Sequence, residues 1–284
     1  MQVKKTYPSF SVLMSVYKSD DPNNLDIALT SIEKQTLEPS EIVLVEDGPI
    51  SVDLEKVINK HKHNFTRKFK DIKLKTNKGL GNALKIGTKF VSTNWIARMD
   101  ADDISVPKRF EMQLNEIIKN PELAVIGGQV REFAGDVQNI VGQRDVPLNE
   151  NDIKRFIKWR SPFNHPTVMI NKKILENVGG YIAYGNLEDY YLWSRMIASN
   201  KQVKNLADSL VLMRVDKGMY SRRGKFSNIK YFYSLRRFLK LKRIISFKEE
   251  LVGDCIMTFN IISPASIRKF VYQKIIHKMR KRKN

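Results

Sequence analysis

A single cysteine, Cys255, leaves no partner for an internal disulfide, and four histidines scattered over 284 residues form no Cys/His pattern at zinc-ligand spacing. The composition fits a reducing cytoplasm. Long apolar runs are missing too. No window approaches the roughly 18 uninterrupted apolar residues that a spanning helix requires. The first apolar run, "FSVLMSVY", is broken by Ser and closed by Asp20 and Asp21, so no secretory leader is read there. No internal repeat or low-complexity tract is present. What remains is a chain with 42% hydrophobic residues, enough to bury a full core, and a formal charge of +20.

That charge is concentrated. Residues 221–284 hold 18 Lys or Arg against Glu249, Glu250 and Asp254, so they carry most of the excess. The asymmetry divides the chain into a domain over 1–220 and a basic helical extension over 221–284 whose partner is anionic. In "KFSNIKYFYSLRRFLKLKRII" (225–245) and "ASIRKFVYQKIIHKMRKRKN" (265–284), apolar and basic residues alternate as in helices that lie in the headgroup layer of anionic membranes. A solvated helical pair and a nucleic-acid-binding tail are the competing readings.

The first 134 residues alternate β-like and helix-like stretches. "FSVLMSVY" (10–17) and "EIVLVEDG" (41–48) are near-continuous apolar runs, as in strands buried on both faces. Between them Leu25, Ala28, Leu29 and Ile32 recur on one helical face after Asn caps. "DLEKVINKHK", "DIKLKT", "GLGNALKIGTKFV" and "NWIARMD" continue as helix, strand, helix and strand. Ser105 is then expected to cap a helix carrying Phe110, Leu114 and Ile117, with Asp103 contributing to the cap. "LAVIGGQVREF" reads as a strand, 135–152 as a polar linker, "IKRFIKW" as a short helix, and "TVMI" and "SLVLMRV" as strands. Gly179-Gly180 ends a helix, and "LEDYYLWSRMIASN" forms another. The pattern is α/β: a mostly parallel central sheet flanked by helices.

Ligands of such sheets sit beyond the carboxyl ends of the strands, where strand order reverses. Two acidic groups belong there. "RMDADD" (98–103) packs three carboxylates into four residues and demands a compensating positive charge. Asp100 and Asp102 can hold Mg²⁺ or Mn²⁺ through one or two carboxylates, leaving positions for phosphate oxygens. In "VEDG", Glu46 and Asp47 can accept hydrogen bonds from a base or a ribose; the alternative is an Asp-Gly turn in which Asp47 folds onto its own backbone. Lys78 can meet a phosphate or base carbonyl. "KGLGNALKIG" fails as a dinucleotide fingerprint, because its third glycine position is Leu84. Further on, Glu188 and Asp189 stand beside aromatic residues, where a carboxylate gains basicity; as first-turn acids they also suit a helix dipole. His165 before Pro166 is either an acceptor or metal contact or a turn residue.

Taken in order, "FSVLMSVYKSDDPNNLDIALTSIEKQT", "EIVLVEDG", "NKGLGNALKIG", "ARMDADDISVPKRFEMQ" and "NLEDYYLWSRM" resemble a family-2 glycosyltransferase of the GT-A fold, over about residues 8–215. The resemblance implies a nucleotide-diphosphate sugar donor, with a UDP-sugar expected, a divalent ion and inversion at the anomeric carbon. It places Tyr17, Asp47 and Lys78 at the nucleoside, Asp100 at the ribose or metal shell and Asp102 on the metal. Asp189 is implied as the base that takes the acceptor proton, with Glu188 in support. Glu46 stands where the family often has Asp, and "SVYK" replaces the usual "PxYN". The Gln-x-x-Arg-Trp motif of processive synthases is absent, since Trp95, Trp159 and Trp193 follow Asn94, Lys158 and Leu192. One sugar per encounter is expected, added to a lipid-linked oligosaccharide acceptor of a surface polysaccharide at the inner face of the cell membrane. The competing activities are nucleotidyl transfer to a sugar phosphate and non-enzymatic nucleic-acid binding; with the family resemblance, no nucleic-acid partner is expected.

Overall fold

The computed structural model describes residues 6–215 and 229–262. The chain divides into two compact units, Met1–Lys217 and Gly218–Asn284. In the first, β1 (Phe10–Val16), β2 (Glu41–Glu46), β3 (Lys68–Lys73), β4 (Trp95–Arg98), β5 (Ile104–Ser105), β6 (Leu123–Phe133), β7 (Ile140–Arg144), β8 (Met169–Asn171) and β9 (Gln202–Arg214) share one sheet. Its order is β3-β2-β1-β4-β8-β6-β9-β5, with β7 joined to β6.

β3, β2, β1 and β4 run parallel, as the buried apolar runs predict. Beyond β4 the sheet becomes mixed: β8 is antiparallel to both β4 and β6, and β9 returns parallel to β6. The expected mostly parallel sheet therefore holds for the first half alone. Strand order reverses at β1, so its carboxyl end, flanked by those of β2 and β4, opens the crevice.

Local sequence explains the first helix. α1 (Pro22–Glu33) is capped by Asp21, whose carboxylate accepts from the N–H groups of Asn23 and Asn24, while Pro22 supplies a preset φ in the first turn. The cap is thus Asp, not the expected Asn. Leu25, Ala28, Leu29 and Ile32 are fully buried, and each large one contributes roughly 1.5–3 kcal/mol relative to exposure. α2 (Val52–Asn64) follows β2 and packs beside α1 on the face of Val12, Met14, Ile42 and Leu44, whereas α3 (Leu80–Thr88) follows β3 on the opposite face, that of Leu13 and Val45. Gly87 lets α3 lie on β1 and β2, because a Cβ there would meet Leu13 and Val45 at 2.5 and 2.8 Å.

Three boundaries differ from expectation. β3 begins at Lys68, upstream of "DIKLKT", where its register with β2 starts. Ser105 does not cap α4 (Arg109–Lys119): Ile104 and Ser105 form β5 on β9, and the Ser105 N–H donates to Ser31 Oγ at 3.0 Å. Residues 135–152 are no mere linker, since β7 folds back on β6 and α5 (Glu150–Phe156) follows. α6 (Lys172–Asn177) stops at Gly179 and Gly180, both at positive φ, and α7 (Glu188–Ala198) follows.

The second unit contains α8 (Ile229–Leu241) and α9 (Phe247–Ile262). The basic stretch 265–284 and the segment 221–228 lie outside the described residues.

Candidate active site

The acidic stretch after β4 is built over buried positive charge. The Arg98 side chain is 1% exposed and forms an ion pair with Asp100. Burial works against its charge, and Asp100 more than compensates, so the guanidinium stays ionised. Beneath it lies Arg109, wholly buried, which donates to the Arg98 carbonyl at 2.7 Å and to Gln113 Oε1 at 3.2 Å. Burial, and then the charge of Arg98, pull the Arg109 guanidinium down to about 9. The compensating charge that "RMDADD" demands is thus partly supplied by the chain.

Acid still exceeds base at the crevice. Burial, and then Asp100, push the Asp102 carboxyl up to about 6. Asp103 does not cap a helix; its Oδ1 accepts from the Arg214 N–H at 3.0 Å and ties down the end of β9. From the loop after β1 comes a further carboxylate, Asp20, which accepts from the Tyr17 N–H at 2.9 Å. Burial pushes it up to about 7, with Asp102 and Asp100 adding to the effect. Asp20 was not singled out by sequence. Of the two aspartates in "KSDD", Asp21 serves as the cap and Asp20 is left to join the cluster.

Among the described residues no three His, Cys, Asp or Glu side chains are grouped to cage a metal. The donor set is all oxygen, and the burial and neighbouring Asp100 charge that raise Asp102 are what a hard cation offsets. Asp100 and Asp102 therefore fit Mg²⁺ or Mn²⁺ shared with phosphate oxygens, and not a closed structural site.

On the β2 side, Asp47 and Glu46 part company, as adjacent positions at a strand end do. The Asp47 carboxylate accepts from the N–H groups of Lys78 and Gly79 at 2.7 and 2.9 Å. It binds the 78–79 loop, not its own backbone as a simple Asp-Gly turn would. Gly48, at φ +88°, makes room: a Cβ would lie 2.6 Å from the Asn77 nitrogen. Glu46 is drawn away from the expected nucleoside contact. Its buried carboxylate pairs with Lys73 Nζ on β3 at 3.1 Å, and burial raises its pKa. Tyr17 is 38% exposed at the lip, and the Lys78 side chain is exposed.

The second acid pair opens α7. Asp189 accepts from the Tyr190 N–H at 2.7 Å and from Ser161 Oγ at 3.4 Å, and burial raises its pKa. Burial pushes Glu188 up to about 7, with Asp189 and Asp100 raising it and Arg98 opposing them. Glu188 Oε2 is buried and finds no hydrogen-bond partner. Gly81 admits this segment, since a Cβ would sit 3.2 Å from Ala183 Cα and 3.4 Å from Glu188 Cβ. Tyr181, fully buried, feels the charges of Arg98, Asp189, Glu188 and Asp100, so both acid pairs share one electrostatic neighbourhood. His165 belongs to the wall: its Nε2 is 3.2 Å from the Tyr181 hydroxyl, its ring packs on Trp193, and burial keeps it neutral.

With this geometry in view, the match to known proteins is decisive. The family model described as "Glycosyl transferase family 2" matches residues 11–179. The chain belongs to glycosyltransferase family 2. This family-2 enzyme is 35% identical over 265 residues to the amylovoran biosynthesis glycosyltransferase AmsE of Erwinia amylovora, covering 93% of this chain and 98% of the relative. It is 34% identical over 275 residues to the UDP-Gal:alpha-D-GlcNAc-diphosphoundecaprenol beta-1,3-galactosyltransferase of Escherichia coli, covering 95% and 98%. Among solved structures, that of S. aureus TarS 1-349 in complex with UDP-GlcNAc superimposes with a TM-score of 0.66 at 18% identity, covering 91% of this chain and 77% of that one. The fold is GT-A, and the protein is a glycosyltransferase with relatives in polysaccharide biosynthesis.

Proposed function

We propose that the enzyme moves one sugar, with inversion, from a UDP-sugar to a hydroxyl of a lipid-linked glycan, and that it depends on Mn²⁺ or Mg²⁺. The observation that carries this is the pair of carboxylate groups, Asp100/Asp102 and Glu188/Asp189, brought from β4 and α7 to one crevice around Arg98. The E. coli relative, similar over nearly the whole chain, is named for a UDP-linked donor and a diphosphate-lipid acceptor.

Asp47 and the 78–79 loop it holds form the nucleoside side, with Tyr17 at the lip. Asp100 and Asp102 would hold the divalent ion, which when bound neutralises charge on the departing diphosphate. Asp189 takes the proton from the acceptor hydroxyl; that oxygen bonds to the anomeric carbon as the bond to the diphosphate breaks on the opposite face, and the nucleoside diphosphate leaves. Glu188 supports Asp189 by sharing its negative potential, and Ser161 fixes its orientation.

The test is product identity. Purified enzyme is incubated with Mn²⁺, UDP- and GDP-sugars and a GlcNAc-diphospholipid. Release of UDP together with a lengthened glycan is expected. Release of pyrophosphate, the mark of nucleotidyl transfer, would overturn the reading.

A further inference from the structure

Helix α9 is built inside out. Glu250 and Asp254 turn toward α8: Lys240 Nζ meets Glu250 Oε2 at 2.5 Å, and the buried Arg236 approaches Asp254 Oδ1 at 3.3 Å while donating to the Glu250 carbonyl. Gly253 allows that approach, since a Cβ there would collide with the Arg236 guanidinium. The large apolar residues turn the other way. Phe247, Leu251, Val252, Ile256 and Phe259, at helical spacing, are 49–67% exposed. The amphipathic surface expected on 225–245 is largely spent, by contrast, because Phe232, Leu235 and Leu239 of α8 are buried.

We infer that the exposed face of α9 lies in the headgroup layer of an anionic membrane, deepening the reading of a lipid-linked acceptor on which its biological purpose rests. Charge selects this occupant. The 22 residues that follow α9, 263–284, contain eight Lys or Arg and no Asp or Glu, and Lys242, Arg243 and Lys248 are exposed beside the helix. Two copies meeting through this face would bring like charges together, whereas anionic lipid supplies both the counter-charge and an apolar layer. No described helix is long and apolar enough to cross a membrane, which fits a helix lying along the surface.

The experiment uses the full chain and vesicles of phosphatidylglycerol and phosphatidylethanolamine, with phosphatidylcholine vesicles as the uncharged control. The intact chain should co-sediment with the anionic vesicles. The combined Phe247→Ser, Leu251→Ser, Ile256→Ser and Phe259→Ser variant should lose binding at least tenfold. Because these side chains are exposed, its melting temperature should not fall. Ile256→Trp, an independent reporter, should shift its emission to the blue on adding anionic vesicles. Unchanged binding of the serine variant, or no blue shift, would overturn the inference. So would an intact chain that is dimeric in light scattering and becomes monomeric on serine substitution, since the face would then be an interface between copies. UDP release toward a water-soluble acceptor should be equal in the two proteins; its absence from both would count against the proposed function and leave the membrane result standing.

Discussion

Arg98 and Asp100, two residues apart at the end of β4, form an ion pair whose cationic partner is almost wholly shut off from water. The pair joins the two halves of the candidate site, because the charge of Arg98 also acts on Glu188 and Asp189. Removing one partner of an ion pair costs about 3–5 kcal/mol when the charge left behind is buried, and less here because Asp100, which Arg98→Met leaves uncompensated, is 34% exposed to water. Arg98→Met should therefore lower stability in chemical denaturation by less than that figure. Adding Asp100→Asn should recover part of the loss, the signature of coupling between contacting residues.

Asp189→Asn keeps the shape of the first turn of α7 and removes the proposed proton acceptor. Turnover should fall by about 10²- to 10⁴-fold, the usual range for a general base, with donor affinity unchanged. Glu188→Gln should cost less. Steady-state kinetics with donor and acceptor varied separately checks both, and a lowered donor affinity for Asp189→Asn would count against its role.

Burial holds the Glu188 carboxyl near 7, far above the ordinary value of about 4.3. A carboxyl raised by folding binds its proton more tightly in the native state, so its contribution is full below pH ~4 and is lost as pH rises through about 7. The melting temperature should thus decline between about pH 5 and 8, less steeply in Glu188→Gln. Turnover should move the opposite way, rising through about pH 7 as Glu188 ionises beside Asp189.

Gly48→Ala places a Cβ against the Asn77 nitrogen at a positive φ. The strain is of order 1–3 kcal/mol and falls on the turn through which Asp47 holds residues 78 and 79. Lower stability and a higher KM for the donor, with kcat little changed, are expected from melting curves and initial rates.

The parallel half of the fold was legible because strands buried on both faces read as unbroken apolar runs, and α1 shows its stripe at 3.6-residue spacing. β5 and β7 were not, since a two-residue strand has no period and β7 carries Ile140 and Val141 exposed. The first half of β9 was hidden in the polar "QVKNLADS". In the site, the clustered acids Asp100, Asp102, Glu188 and Asp189 stood out by composition. Arg98 and Asp20 did not, because their role comes from depth and from neighbours far apart in sequence. The partner of Glu46 was hidden for a related reason: it adjoins Asp47, yet its carboxylate pairs with Lys73 on the neighbouring strand.

The division of labour between the two acid groups is tested most directly by Mn²⁺ binding in the presence of UDP, followed by electron paramagnetic resonance. One tightly held ion per chain is predicted for the intact enzyme and for Asp189→Asn, with affinity at least tenfold weaker in Asp102→Asn. Equal Mn²⁺ affinity in the intact enzyme and Asp102→Asn, or loss of the ion in Asp189→Asn, would contradict the account.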